Sequence, residues 1–411
     1  MDALSLHAYA RVLLRVGVNI QQGQSLRLTG EPAHREFMLI VAEEAYRAGA
    51  RAVKFELRDS RHTRIRADHL DARYVEHVPG YLEKELQTFL DEDWALLRLD
   101  GEEEPGIFDQ ADKERLAAMQ RAESRARHFF SAQVIANKLT WCIAPCPTPR
   151  WAEKVLGVPC PDPAKAVDAL WDILAPILRL DRADPVAAWM EHSARLQERS
   201  RALNALRLDR LHIVGPGTDL EIGLMPLSRF TGGSAVSAKG ITFIPNLPTE
   251  EVFTTPDFRR AEGKVRCTRP VEVLGVPLEG VSFEFAGGAV TDFTADRGAD
   301  ALARFLDIDA QARRIGEVAL VAADSPVSRS GRTFHSILFD ENAACHFALG
   351  GGCPDAVEGG EAMSEDQLKE IGCNISLVHT DFMIGSPEVS VFGLTAEGAR
   401  REIIRKGAFV I

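Results

Sequence analysis

The pattern of apolar residues changes character once along this chain, and that change limits the folds open to it. Up to about residue 160, short β-rich runs alternate with amphipathic helical stretches. QSLRLTG at 24–30 is followed by REFMLIVAEEAYRAGA and ARAVKFEL, and the order repeats with WALLRLDG, a charged stretch over 111–127, and LTWCIAPCP ahead of a helix expected from Pro149. Strands separated by helices point to βαβ units, so the N-terminal domain is expected to be a doubly wound α/β domain. From about 163 to 206 the text is helical and reads as a connector. Beyond Leu208 the apolar runs shorten to LHIVG, TDLEIGL, ITFIPN, VEVLGV, VSFEFAGGAVTDF and EVSVFGLTAEG, with Gly, Pro and Asp between them. EFAGG followed by GAVTDF reads as a hairpin with a glycine-rich turn. The expected plan is an α/β domain with its connector over 1–206, then a strand-rich α+β metal-binding domain over 207–411 with helices near 298–314 and 340–349. A chain of 411 residues also exceeds the usual size of a single core.

Charge and composition exclude several classes. With 60 acidic against 48 basic residues the formal charge is −12, and no long Lys/Arg run gathers positive charge into a nucleic-acid footprint. The opening MDALSLHAYARVLLRVGV reads as an amphipathic helix instead of a signal peptide, and no apolar run approaches the roughly 18 residues of a membrane span. Seven scattered cysteines, an odd number, fit a reduced, cytoplasmic protein.

Four segments beyond residue 245 hold the polar residues of interest. In NLPTEEVFTTP, Glu250 and Glu251 precede Val252 and Phe253, so one of the two carboxylates is drawn toward apolar surroundings; a capped turn with two exposed acids is the plainer alternative. In IGEVALVAADSP, Glu317 stands ahead of an apolar run, where a carboxylate needs a partner or a metal unless it reaches solvent. LFDENAACHFALGGG reads as a helix begun by Asp340 and stopped by Gly350, Gly351 and Gly352, with His346 on it; a lone histidine there is more often a core residue than a ligand. In SLVHTDFMIG, His379 and Asp381 stand at i and i+2 of a strand and share one face. Together, three carboxylates and two imidazoles form a mixed oxygen and nitrogen set suited to Zn, Co or Mn and unlike an all-oxygen calcium cage. Five ligands exceed what one tetrahedral zinc needs, and two metals sharing a carboxylate would use them all.

The strings NLPTEEVFTTP, GEVALV, SRSGRTF, LFDENAACHFALG, MSEDQLKEIG and HTDFMIGSPEVSV resemble the thermophilic aminopeptidase family of metallopeptidases, over essentially the whole chain. That resemblance implies metal ligands at Glu251, Glu317, His346, His379 and Asp381, with Glu317 as the bridging carboxylate. It also implies two divalent metal ions per chain, a homodimer, and a peptide substrate with a free N-terminus. The family places a tyrosine seven residues after the histidine of the third segment, where this chain has Cys353. A thiol donates a weaker hydrogen bond than a phenol, so Cys353 is open to three roles: a donor, a thiolate ligand, or filler. Glu250, beside a ligand, is read as an amine anchor or proton shuttle, and Glu317 and Cys353 complete the catalytic candidates. Two rivals stand beside the peptidase reading. One is a mononuclear iron oxygenase or other non-peptidase hydrolase using His346, His379 and Asp381; the other is a metal-binding homologue whose catalysis the cysteine has reduced.

Overall fold

The structure, a computed structural model, describes residues 1–159 and 162–411; Cys160 lies outside them. Two compact units share the chain unevenly. The first is Met1–Glu191 with Ser234–Leu247, and the second is His192–Gly233 with Pro248–Ile411. The division expected after residue 206 therefore falls earlier, and a later segment returns to the first unit. That return has a local cause. Ile244 N–H donates to Val16 O, Leu247 N–H donates to Ile143 O, and Phe243 packs on Trp141. Within the second unit, Leu196 and Leu203 of the helix Pro185–Ala205 are fully buried in its core.

The first unit is built on four parallel strands, β1 (Ser25–Gly30), β2 (Ala52–Leu57), β3 (Ala95–Asp100) and β4 (Trp141–Pro145), in the order β2-β1-β3-β4. Leu26, Leu28, Leu97, Leu99, Cys142 and Ala144 are buried on one face, while the helix Arg35–Arg47 buries Met38, Val41 and Ala45. The opposite face is mixed: Arg27 ion-pairs with Glu56 at 2.6 Å and lies over the ring of Phe89. The helices start where their caps predict, with Asp112 accepting from Glu114 and Arg115 N–H, and Thr148 from Trp151 N–H ahead of Pro149. The parallel α/β reading of this unit is what the chain adopts.

Among the described residues the second unit has two larger sheets and a two-stranded hairpin, Val271–Val273 with Val276–Leu278. Eight strands form the larger: β5 (Leu208–Gly215), β6 (Thr218–Leu224), β8 (Pro256–Arg266), β9 (Ser282–Ala286), β10 (Ala289–Thr294), β14 (Ser390–Thr395), β15 (Arg400–Arg405) and β16 (Ala408–Phe409). Their order is β10-β9-β8-β6-β5-β14-β15-β16, every pair antiparallel. The expected hairpin at EFAGG is β9 and β10. The smaller sheet contains β7 (Glu251–Thr254), β11 (Ile315–Val321), β12 (His346–Gly350) and β13 (His379–Met383), ordered β13-β12-β11-β7. Val252, Val318, Leu320, Phe347, Leu349 and Phe382 are buried on one face of it and share a core with Leu211, Ile213, Leu220 and Ile222 of the larger sheet. Phe283 of β9 meets Phe347 and Phe382 edge-on at 5.9 and 5.0 Å, so aromatic packing locks the sheets together.

Two helices expected here differ. The one near 298–314 is shorter, Ala299–Leu306. The one placed over 340–349 does not exist: a helical turn Ile337–Asp340 and a 3-10 turn Glu341–Ala343 give way to extended backbone at Ala344, and His346–Gly350 is a strand. Phe347 and Leu349 alternate with His346 and Ala348, a period of two that is legible in the sequence. The strand is buried on both faces, which removes the polar contrast that normally distinguishes strand from helix.

Candidate metal centre

The face of the smaller sheet opposite its core carries all five ligand candidates. Strand pairing sets Glu251 beside Val321, Ala319 beside His346, Ala348 beside both Glu317 and Asp381, and Gly350 beside His379. Alanines and glycine between the long polar side chains leave room for the heads to converge. Glu317 reaches this face through an irregularity. Ile315 pairs with Leu349 on the core side and would share its face with Glu317, two residues on, in a regular strand. Gly316 and Glu317 instead both stand opposite Ala348, a β-bulge that turns the carboxylate to the other side. Only glycine fits at 316, because a Cβ there would lie 2.3 Å from the carbonyl oxygens of Gly350 and Gly351.

The side-chain heads form two groups of three that share one residue: Glu251, Glu317 and His346 in one, Glu317, His379 and Asp381 in the other. His346 Nε2 lies 3.3 Å from Glu251 Oε2, 3.8 Å from Glu317 Oε1 and 3.9 Å from Asp381 Oδ1. His379 Nε2 is 3.5 Å from both Glu317 Oε2 and Asp381 Oδ1. Each imidazole is oriented from behind: His346 Nδ1 donates to Ala344 O at 3.1 Å and His379 Nδ1 to Gly351 O at 2.8 Å. With Nδ1 held by a carbonyl, each ring turns its Nε2 toward the carboxylates. Four of the five residues are buried, and His379 is exposed.

Electrostatics describe a buried cluster of carboxylates that repel one another and two imidazoles. Burial above all, opposed by the charge of His346 and reinforced by repulsion from Glu317 and Asp381, pushes Glu251 up to about 7. Burial and the charge of Asp381 do the same to Glu317, also to about 7. Burial works against both members of the His379–Asp381 pair, yet their mutual attraction prevails, raising His379 to about 10 and lowering Asp381. Glu251 Oε2 is buried with no hydrogen-bond partner, an arrangement that costs free energy unless a ligand satisfies it. A divalent cation fits that orphaned oxygen and a donor set of carboxylates and correctly turned imidazoles.

Cys353 follows the glycines after β12, and its backbone is held by Thr255, which accepts from Cys353 N–H at 2.8 Å and donates to Cys353 O at 2.9 Å. Its thiol donates to Glu317 Oε2 at 3.0 Å. Burial, then the neighbouring Glu317, raises the thiol well above its ordinary value, so it is a proton carrier facing the shared carboxylate. Glu250 is turned elsewhere. Its carboxylate stands 3.4 Å from His192, and neither ligand group includes it. Its N–H donates to Asn342 Oδ1 at 2.6 Å, which pins the turn leading into β7. Two residues escaped the sequence reading. Glu341 faces the site closely enough that, after burial, Glu251, Asp381 and Glu317 raise it well above an ordinary carboxylate. Asn342, fully buried, ties the Glu250 backbone to the turn before β12. Both follow Asp340 ahead of His346, and the polar triplet DEN between the apolar ILF and AAC was the available signal.

The profile of the thermophilic metalloprotease family (M29) matches residues 3–409. The chain belongs to that family. Family relatives include aminopeptidase PepS of Streptococcus thermophilus, 38% identical over 99% of this chain and 98% of the relative, and aminopeptidase T of Thermus aquaticus, 37% identical over the whole of both. Wild-type AmpT from Thermus thermophilus has the same fold, with a TM-score of 0.90 and 36% identity over 99% of each chain. No described helix is long and apolar enough to cross a membrane.

Proposed function

We propose that this protein is a metallo-aminopeptidase that binds two divalent metal ions, of Zn, Co or Mn type, and hydrolyses the first peptide bond of substrates with a free N-terminus. The observation that carries the reading is the pair of three-residue groups sharing Glu317 on one sheet face. Metals held there would supply Lewis acidity and acidify a bound water toward neutral pH, the chemistry that peptide hydrolysis requires. The family membership and the aminopeptidase names of the relatives support the same conclusion.

The protein's own residues have separable tasks in this scheme. Glu251 and His346 would hold one ion and His379 and Asp381 the other, with Glu317 available to both. Backbone carbonyls at Ala344 and Gly351 fix the imidazole orientation. Cys353 donates a hydrogen bond to Glu317 and takes the place of the family tyrosine, where it orients that carboxylate as a weaker donor. Glu250 is a support for the ligand turn in this reading, through His192 and Asn342, and not an amine anchor. A mononuclear iron site is disfavoured because His346 and His379 fall into different groups, each with Glu317. We further propose a cytoplasmic homodimer without nucleic-acid or membrane partners. The experiment is metal analysis coupled to hydrolysis of a panel of aminoacyl substrates. Two metals per chain with release of the N-terminal residue is the expected result; one iron with oxygen-dependent turnover would replace the peptidase reading.

A further inference from the structure

The mixed face of the first sheet holds more positive charge than its own carboxylates neutralise. Strand register sets Glu56 of β2, Thr29 of β1 and Arg98 of β3 in one row across that face, with Arg27 one step earlier on β1. Arg58 follows β2 directly, and its N–H donates to Gly30 O at 2.8 Å, extending the ladder past Leu57. The helix Lys113–Ile135 covers the same face: the ring of Phe130 lies 5.9 Å from the Arg27 guanidinium, and Arg127, three residues earlier, is on the same side of the helix. Three of the cations are engaged, Arg27 with Glu56 at 2.6 Å, Lys54 with Glu85 at 2.6 Å and Arg98 with Asp100 at 3.1 Å. Arg58 and Arg127 have no ion-pair partner among the described residues. Protein packed on one side strips water from the Arg58 guanidinium and holds its pKa below the ordinary value; Arg98 adds repulsion, as do Arg27 and Arg127, against the attraction of Glu56. Four guanidiniums thus share two carboxylates, Glu56 and Asp100.

We infer that this face binds a phosphate group between Arg58, Arg98 and Arg127, supplied by inorganic phosphate or by a small phosphate monoester. The place is the one at which open α/β sheets take ligands. In the order β2-β1-β3-β4 the chain leaves β1 for β2 on one side and returns to β3 on the other, so the crevice at the carboxyl ends of β1 and β3 is a switch point. Arg98 stands near the end of β3 and Arg58 just past the end of β2. The two unpaired guanidiniums match the charge of a phosphate dianion, and planar forks arriving from two strands and a helix suit its several oxygens. The acids after β1 and β3 are engaged elsewhere. Glu31 accepts from Glu103 N–H at 2.8 Å and Glu103 from Ala33 N–H at 3.1 Å, Glu102 lies 3.5 Å from Lys154, and Glu104 pairs with Arg61. The inference stands apart from the aminopeptidase reading, since every residue in it belongs to the first unit.

The test follows hydrogen exchange in the metal-loaded protein with inorganic phosphate, glycerol 3-phosphate or sodium chloride at equal ionic strength. The phosphate compounds are expected to slow exchange in β2, β3 and the helix Lys113–Ile135, and this local readout separates the site from any phosphate held by metals in the second unit. Arg58→Gln and Arg127→Gln should each raise the concentration needed for half-protection about tenfold or more, the worth of one charge-assisted hydrogen bond. Arg47→Gln, on the helix of the opposite face, should leave it unchanged. Stronger protection by glycerol 3-phosphate supports the site with a monoester as its ligand; equal or weaker protection supports it with free phosphate. Absence of protection in these elements, protection that neither substitution weakens, equal protection by chloride, or protection confined to β7, β11, β12 and β13 overturns the inference. A second arm needs no ligand. Without phosphate, Arg127→Gln relieves repulsion and should slow exchange in β2, whereas faster exchange would show that Arg127 holds the fold and not an anion, which also overturns the inference.

Discussion

Glu317 is shared by both ligand groups, and it is also the carboxylate that Cys353 touches. Its loss should therefore differ in kind from the loss of any other ligand. Glu317→Ala is expected to abolish binding of both metal equivalents, whereas Glu251→Ala leaves the group of Glu317, His379 and Asp381 and should retain about one. Metal analysis after dialysis distinguishes them, and two equivalents retained by Glu317→Ala would remove the shared role. Cys353 permits a sharper test at the same atom. A phenol is a stronger donor than a thiol, and single donors at such sites are worth about 10²–10³ in turnover. Cys353→Tyr should raise kcat toward that factor while metal content stays at two. An unchanged kcat would make the thiol mere filler.

At the scale of elements, the site depends on how one strand is irregular. A regular β11 would turn Glu317 into the phenylalanine-rich core, and the bulge at Gly316 prevents it. Gly316→Ala puts a methyl group against two carbonyl oxygens that belong to the glycine turn after β12. Overpacking of that kind costs about 1–3 kcal/mol, and here it also displaces a ligand. The expected variant has a lower urea midpoint without metal and at most one bound metal. A midpoint and metal content equal to the natural protein's would show that the bulge does not aim Glu317. Sequence reading could single out the ligand candidates and not this device. His379 and Asp381 stood out because their spacing matches a strand face, and Glu317 because a carboxylate interrupts an apolar run. The bulge leaves no such trace, since a glycine before a glutamate is commonplace. His346 was placed on a helix because its strand is buried on both sides. Glu250 was given chemistry for its place in sequence, yet neighbouring residues on extended backbone point to opposite sides, and its carboxylate meets His192.

At the scale of the whole molecule, each unit has its own titrating groups. All five ligand candidates lie in the second, while the first contains the pair Glu31 and His34, whose folded pKa values move in opposite directions. His34 is 1% exposed, its Nδ1 accepts from Glu31 N–H, and burial lowers it from 6.5 to about 4. Between those values the unfolded chain binds a proton that the folded chain refuses, so stability falls as pH drops from 6.5 to 4, by about 3 kcal/mol at most. Glu31 is half-buried and is raised from 4.5 to about 7, chiefly by burial. There the folded state holds the extra proton, so stability falls as pH rises from 4.5 to 7, by less because water screens the group. Below 4.5 only the histidine contribution remains. In metal-free protein, His34→Gln should therefore flatten the acid limb and Glu31→Gln the neutral one, read by hydrogen exchange in the helix Arg35–Arg47 and β1. Adding zinc to saturation should protect β7, β11, β12 and β13, because a ligand that binds only the folded state stabilises it by about 2.7 kcal/mol at 100 times its Kd. An acid limb that survives His34→Gln would mean that groups elsewhere set the low-pH stability of the first unit, and zinc protection confined to β1 and β2 would place the metal outside the sheet that carries these five residues.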